Sequence, residues 1–327
     1  MRTLIDFDSA PIFAISVSDG VGQREGMLLE GPQGWGEFSP PADSDETTLA
    51  RWLTAAIEVS TVGWPDPVRG RVPIAVRVPA VDPVRAHQIV AGSGCATAEV
   101  VVAANPGSLA DDIARLEAVR DALGAGGTVR VDADGGWDVE TAVSSIAALS
   151  SAAGGLEYVE QPCRTLDELA AVRRRVQVMI AADQSLRDPR YSAGISPGGI
   201  ALTDAADIAV LACAPLGGAR RALRVAEVCG LPCVVSSSME TSIGLAAGLA
   251  LAGALPALPY ACGLGTRTLL DGDVVAASRS LAPIDGYLPV APMPAAPDPD
   301  LLRRFAVIDA DSVTRWRRIL GAARNAQ

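Results

Sequence analysis

Lysine is absent from this chain: all 27 basic residues are arginine, set against 38 Asp and Glu and a single histidine, for a net charge of −11. That balance excludes nucleic acid and anionic membranes as partners, because both need a basic face. A CxxC pair is missing too. The six cysteines (Cys95, Cys163, Cys213, Cys229, Cys233, Cys262) lie scattered, and Cys229 and Cys233 are separated by a Gly-Leu-Pro turn. They read as buried free thiols of a reducing compartment, not a zinc site. Long apolar runs are lacking: Met1 to Pro11 carries acids, and Gly244 to Leu258 is broken by Gly and Pro. Neither a signal peptide nor a transmembrane helix is expected, which points to a cytoplasmic protein. What is present is apolar bulk. With 327 residues, 49% hydrophobic and 20% charged, the chain can bury a sizeable core. The richness in Ala, Gly, Arg and Val suggests a GC-rich coding bias. Such a bias explains missing surface lysines but not missing catalytic ones.

From about Val72, short β-like runs alternate with amphipathic helical stretches. The runs are Ala98–Ala103, Thr128–Asp132, Glu157–Glu160, Val178–Asp183, Ile208–Leu211, Cys233–Ser236 and a weaker Tyr260–Gly263. Helices are expected over Ser108–Leu123, Asp138–Ala153, Thr165–Val176, Arg220–Gly230 and Thr241–Ala254. So many βα units imply an α/β fold with a closed parallel barrel, whose functional side chains stand at strand C-terminal ends. Residues 1–71 read as a small α+β capping unit: strands Ile12–Val17, Met27–Leu29 and Trp35–Phe38, then a helix Ser44–Val62 capped by Asp43. Residues 72–286 form the barrel. The Pro-rich segment 287–327 returns to the cap and ends in a helix near Ser312–Ala323.

Three successive strands end in an acid: Asp132, Glu160 and Asp183, spaced 28 and 23 residues apart, about one βα unit each. One strand-end acid is as easily a cap for the following helix as a ligand. Three in register converge on the barrel mouth, where they repel unless a hard divalent cation neutralises them, and oxygen donors suit Mg²⁺.

The runs RVDADGGW (130–137), EYVEQP (157–162), IAADQS (180–185), VLACAPLGG (210–218) and VVSSSMETSIGLAAGLALA (234–252), with GWGEFSP (34–40) in the cap, carry a family resemblance. In that order the barrel runs resemble the actinobacterial o-succinylbenzoate synthases of the enolase superfamily. The resemblance implies a modified (β/α)₈ barrel with an α+β capping domain. It implies Mg²⁺ on Asp132, Glu160 and Asp183, and a lyase reaction: dehydration of a cyclohexadiene carboxylate to o-succinylbenzoate, on the path to menaquinone.

Against that pattern the chemistry is missing. Removing a proton α to a carboxylate needs a metal to stabilise the enediolate and a lysine base. The family's Thr-Ala-Lys-x-Lys reads Thr97-Ala98-Glu99-Val100-Val101, and the lysine before Pro-Leu-Gly-Gly is Ala212. Val101 cannot take a proton, Ala212 cannot stabilise negative charge, and Glu99, facing inward by strand alternation, adds charge of the wrong sign. Asp134, where the family has Asn, and Asp19, in place of an arginine-rich loop, also oppose an anionic small-molecule carboxylate. What survives is Arg130, on the face of Asp132, with Ser236, Ser237, Gly263 and Leu264 lining the mouth. His87 does not match a catalytic position and reads as a surface histidine. Three readings follow: a catalytically impaired homologue that keeps its metal site, an active lyase with Glu99 as base, or a non-enzymatic barrel holding a cation or cationic ligand. Restoring lysine at Glu99, Val101 and Ala212 together is expected to return charge where the transition state needs it.

Overall fold

The computed structural model describes residues 5–18, 22–187, 200–290 and 295–327. Strands β1 (Ile12–Ser16), β2 (Gln23–Gly31) and β3 (Gly34–Phe38) form an antiparallel meander in the order β1-β2-β3. Both faces are apolar. Ile12, Met27, Leu29 and Phe38 pack on Trp52 and Leu53 of helix α1 (Glu46–Thr61), while Phe13, Ile15 and Leu28 pack on Ile243, Leu270 and Val274. The helix lies so close to β3 that a Cβ on Gly36 would stand 2.1 Å from the Ala56 carbonyl oxygen, which is why the GWGEF run needs glycine there. The N-cap of α1 is Asp45, whose Oδ1 accepts from Thr48 N at 2.7 Å, and not Asp43 as the spacing suggested.

The chain then enters β4 (Arg71–Pro73) and β5 (Ala75–Val78). Next come α2 (Pro83–Ser93), β6 (Thr97–Val101), α3 (Leu109–Leu123), β7 (Thr128–Asp132), α4 (Val139–Ala152), β8 (Tyr158–Glu160) and α5 (Leu166–Arg173). Strand β9 (Met179–Ala182) leads through α6 (Gln184–Arg187) and α7 (Leu202–Ala205) to β10 (Ile208–Ala212). Helices α8 (Cys213–Leu216) and α9 (Ala219–Cys229), strand β11 (Cys233–Ser236) and α10 (Ser242–Ala254) follow. Strands β5 to β11 form one parallel seven-stranded sheet in chain order. The weak eighth run reduces to single bridges: Gly263 to Ser236 on one side and Cys262 to Ile74 on the other. Those bridges close the barrel. Strand β5 escaped notice in the sequence because Pro73 and Pro79 flank it and Arg77 interrupts its apolar residues.

Alternation divides each strand cleanly. Val76, Val78, Ala98, Val100, Val129, Val131, Val159, Ile180, Leu211 and Val235 join the core under the helices. Tyr158, Ala181, Ile208, Val210 and Val234 form a second cluster with Tyr260. Beyond the barrel, β12 (Tyr287–Pro289) pairs with β4, and α11 (Pro299–Arg304) and α12 (Ala310–Asn325) run back to the cap. There Ala14 N donates to Phe305 O and Val307 N to Ile12 O, both at 2.9 Å. All six cysteines are free and buried, and the Cys229 and Cys233 sulfurs stand 3.7 Å apart. Among the described residues no helix is long and apolar enough to cross a membrane.

A buried carboxylate of the cap reaches into the barrel, beside the link that Glu58 of α1 makes to Arg220 of α9. Glu37 of β3 is 5% exposed and accepts from Thr241 N (3.1 Å), Thr241 Oγ1 (2.5 Å) and Gly244 N (3.2 Å) at the start of α10, and from Ser39 Oγ (2.7 Å). Burial pushes its carboxyl up to about 7, against the pull of Arg24. A carboxyl raised by folding contributes stability in its protonated form, fully present below its unfolded value near 4.5 and lost as pH rises through about 7. Relative to Glu37→Gln, the wild-type protein is therefore expected to lose up to about 3 kcal/mol between pH 4.5 and 7.5. Paired unfolding curves across that range check this, and parallel pH profiles for the two proteins would refute it.

Candidate active site

The barrel interior is an ion network built from three adjacent strands. Arg77 of β5, Glu99 of β6 and Arg130 of β7 occupy paired register positions, Arg77 beside Glu99 and Glu99 beside Arg130. Glu99 is 1% exposed. It accepts two bonds from Arg130, Nε at 3.0 Å and Nη2 at 2.7 Å on Oε2, and one from Arg77 Nη1 on Oε1. Arg77 also sends Nη2 to Asp132 Oδ2 at 2.8 Å. The Glu99 side chain thus points into the barrel. A Cβ on Gly263 would stand 3.0 Å from Glu99 Oε2 and 2.8 Å from Ser236 Oγ, so glycine at 263 makes room for the network.

Burial by itself raises the Glu99 carboxyl, but Arg130 and then Arg77 overrule it and hold it below the usual carboxylate range. A carboxylate so clamped is a poor proton acceptor. Arg130 is wholly buried, its Nη1 donates to Ala261 O at 2.7 Å, and its guanidinium lies 4.9 Å from the centre of the Tyr158 ring. Alternation places Arg130 on the inward face, beside Glu99 in the register. Its donors are spent on the barrel floor, so it serves as a counter-ion and does not line the mouth.

Above this floor stand the three acids. Asp132 and Glu160 are register partners on β7 and β8, and Asp183 follows β9. Asp132 Oδ1 accepts from Asp134 N at 3.0 Å, while Asp183 is paired with Arg187 four residues on. Glu160 is the exception: its Oε2 is buried with no hydrogen-bond partner. Burial, then the negative charges of Asp132, Glu99 and Asp183, push the Glu160 carboxyl well up. Burial also raises Asp183, and raises Asp134 with help from Asp132 and Asp183. Two of the expected ligands are thus turned onto guanidinium groups. Among the described residues no set of three or more His, Cys, Asp or Glu side chains stands ready-formed as a cage for a metal ion.

Residues 83–297 match the enolase C-terminal domain-like family, and residues 19–60 the enolase N-terminal domain-like family. Over 307 residues the chain is 52% identical to the o-succinylbenzoate synthase of Thermobifida fusca, covering 94% of this chain and 92% of that one. Against the o-succinylbenzoate synthase of Mycolicibacterium smegmatis it is 46% identical over 288 residues, 88% of this chain and 85% of the other. The chain belongs to the o-succinylbenzoate synthase family of the enolase superfamily. Among solved structures, 2-chloromuconate cycloisomerase from Rhodococcus opacus 1CP is similar with a TM-score of 0.75 at 21% identity, over 94% of this chain and 100% of that one. Muconate lactonizing enzyme from Pseudomonas putida gives a TM-score of 0.73 at 20% identity, over 93% and 99%. At such identities the likeness speaks to the fold.

For this o-succinylbenzoate synthase homologue the remaining candidates sort as follows. Val101, half-buried, is the register partner of Asp132, and Ala212, 2% exposed, is the partner of Ser236. Ser237 Oγ donates to Glu240 at 2.6 Å and lies 2.7 Å from Thr266 Oγ1, so it holds the loop after β11. Leu264 is a correction: it is fully buried in the core under the helices, its side chain turned toward Gly248 of α10, and does not line the mouth. A residue beside Gly263 must face the other way. His87 lies in the outer helical layer, with Nε2 3.3 Å from Asp121. Asp19 lies outside the described residues. The sequence reading missed Arg77 and Arg187. A lone arginine between valines, two strands from Asp132, and an arginine four residues after Asp183 were the available signals.

Proposed function

We propose that this chain is an o-succinylbenzoate synthase homologue impaired in the family's dehydration, a pseudoenzyme-like barrel that keeps the carboxylates for a divalent cation. The observation that carries this reading is the clamp on Glu99. The side chain standing where the family has lysine is bonded to two arginines and held below its ordinary range, so it cannot serve as the base. That weighs against an active lyase using Glu99.

The donor set fits Mg²⁺: Asp132, Glu160 and Asp183 are hard oxygen ligands, and the buried orphan oxygen of Glu160 calls for a cation. Those three would hold the ion, whose chemistry is stabilisation of negative charge developing on a bound carboxylate. Among the described residues, the positions where the family carries lysine do not complete the reaction. Val101 and Ala212 neither accept a proton nor offer charge, and Arg130 is sealed beneath the mouth. The test is turnover of the cyclohexadiene carboxylate by the purified protein with Mg²⁺, expected at or near background.

A further inference from the structure

We propose that Arg77 is a built-in cation that competes with a divalent metal ion for Asp132, so that the barrel mouth takes up metal only when Arg77 lets go. Both Asp132 oxygens are engaged, Oδ1 by Asp134 N at 3.0 Å and Oδ2 by Arg77 Nη2 at 2.8 Å. A guanidinium is charged at every accessible pH. Its charge therefore sits against the carboxylate that a metal ion would bind and repels that ion.

The geometry also provides for release. The Arg77 side chain is 22% exposed, whereas its other partner, Glu99, is 1% exposed and keeps two bonds from Arg130 when Arg77 leaves. Departure of Arg77 leaves the Glu99 charge paired with Arg130 through Oε2, at the cost of the bond to Oε1. It would leave the negative charge of Asp132 beside Glu160, whose buried Oε2 has no partner at all. That orphan oxygen marks the place where positive charge is still wanted. If the competent, Arg77-released state is only a small fraction of molecules, the apparent metal affinity falls by that fraction. The inference rests on the cation reading of the mouth but not on the loss of turnover.

The experiment is calorimetric titration of MgCl₂ into the wild-type protein, Arg77→Met and Arg77→Gln, with circular dichroism to confirm folding. Arg77→Gln keeps a side-chain donor for Glu99 and so preserves the fold should Arg77→Met fail to. Both variants are expected to bind Mg²⁺ at least about tenfold more tightly than wild type, the gain that a competent state populated in about one molecule in ten or fewer implies. Adding Asp132→Asn to either variant is expected to abolish the gain. Equal affinity in wild type and variants overturns the competition and leaves the metal site standing. Absence of Mg²⁺ binding in all the folded proteins overturns both readings.

Discussion

Replacing Glu99 by lysine damages the barrel instead of repairing it: Glu99→Lys is expected to lower unfolding stability by about 3–5 kcal/mol, the cost of breaking a buried ion pair. Arg130 is wholly buried, and among the described residues the other carboxylate within ion-pair distance is Glu157, 3.8 Å away. Removing Glu99 leaves that guanidinium with the Ala261 carbonyl and the Tyr158 ring, and the new ammonium would stand among Arg77 and Arg130. Glu99→Gln should cost less, about 1.5–3 kcal/mol, because an amide oxygen still accepts one of the charged bonds. Urea titration of the three proteins separates these values. A Glu99→Lys midpoint equal to wild type would mean that Arg130 does not depend on this partner, and the clamp would lose its meaning.

The sequence made the fold and the acid triad visible for a physical reason. Barrel strands are short apolar runs bounded by breakers, and an acid at the end of such a run has no structural reason to recur three times in step. The inward aim of Glu99 followed from alternation alone. Depth did not. A strand rises about 3.3 Å per residue, so Arg130, two residues before Asp132, lies roughly 7 Å further into the barrel, on its floor. Arg77 was invisible for a different reason. Its partners are 22 and 55 residues away, and the four-residue strand that carries it lies between prolines. Nothing local announces that an arginine there will reach across β6 to Asp132. Leu264 was misassigned because adjacent residues were treated as one lining, although a strand turns them to opposite sides.

The same geometry changes what a rescue should look like. The wild-type protein is expected to form o-succinylbenzoate at or near background, since absence of a general base costs about 10²–10⁴-fold and absence of the opposing cation adds further orders of magnitude. Restoring all three lysines was the natural remedy from sequence, but changing Glu99 removes the counter-ion of Arg130. Val101 and Ala212 are free of that network. Val101 is half-buried at the mouth beside Asp132, whose carboxylate can balance a new ammonium, and Ala212 lies at the end of β10 paired with Ser236. The double change Val101→Lys and Ala212→Lys therefore returns a base and an electrostatic stabiliser while leaving Arg77, Glu99 and Arg130 in place. It is expected to raise turnover with Mg²⁺ at least about tenfold over wild type. The triple change that adds Glu99→Lys should do worse because its core is broken, and groups that act as a unit do not add. Recovery by the double variant stays partial, since Arg77 still competes with Mg²⁺ for Asp132 and the charge of Asp134 still opposes an anionic substrate. The decisive number belongs to the unmutated protein. A wild-type kcat within the ordinary enzyme range of about 1–10³ s⁻¹ would overturn the impaired reading, and among the described residues the base would then be a Glu99 released by both arginines.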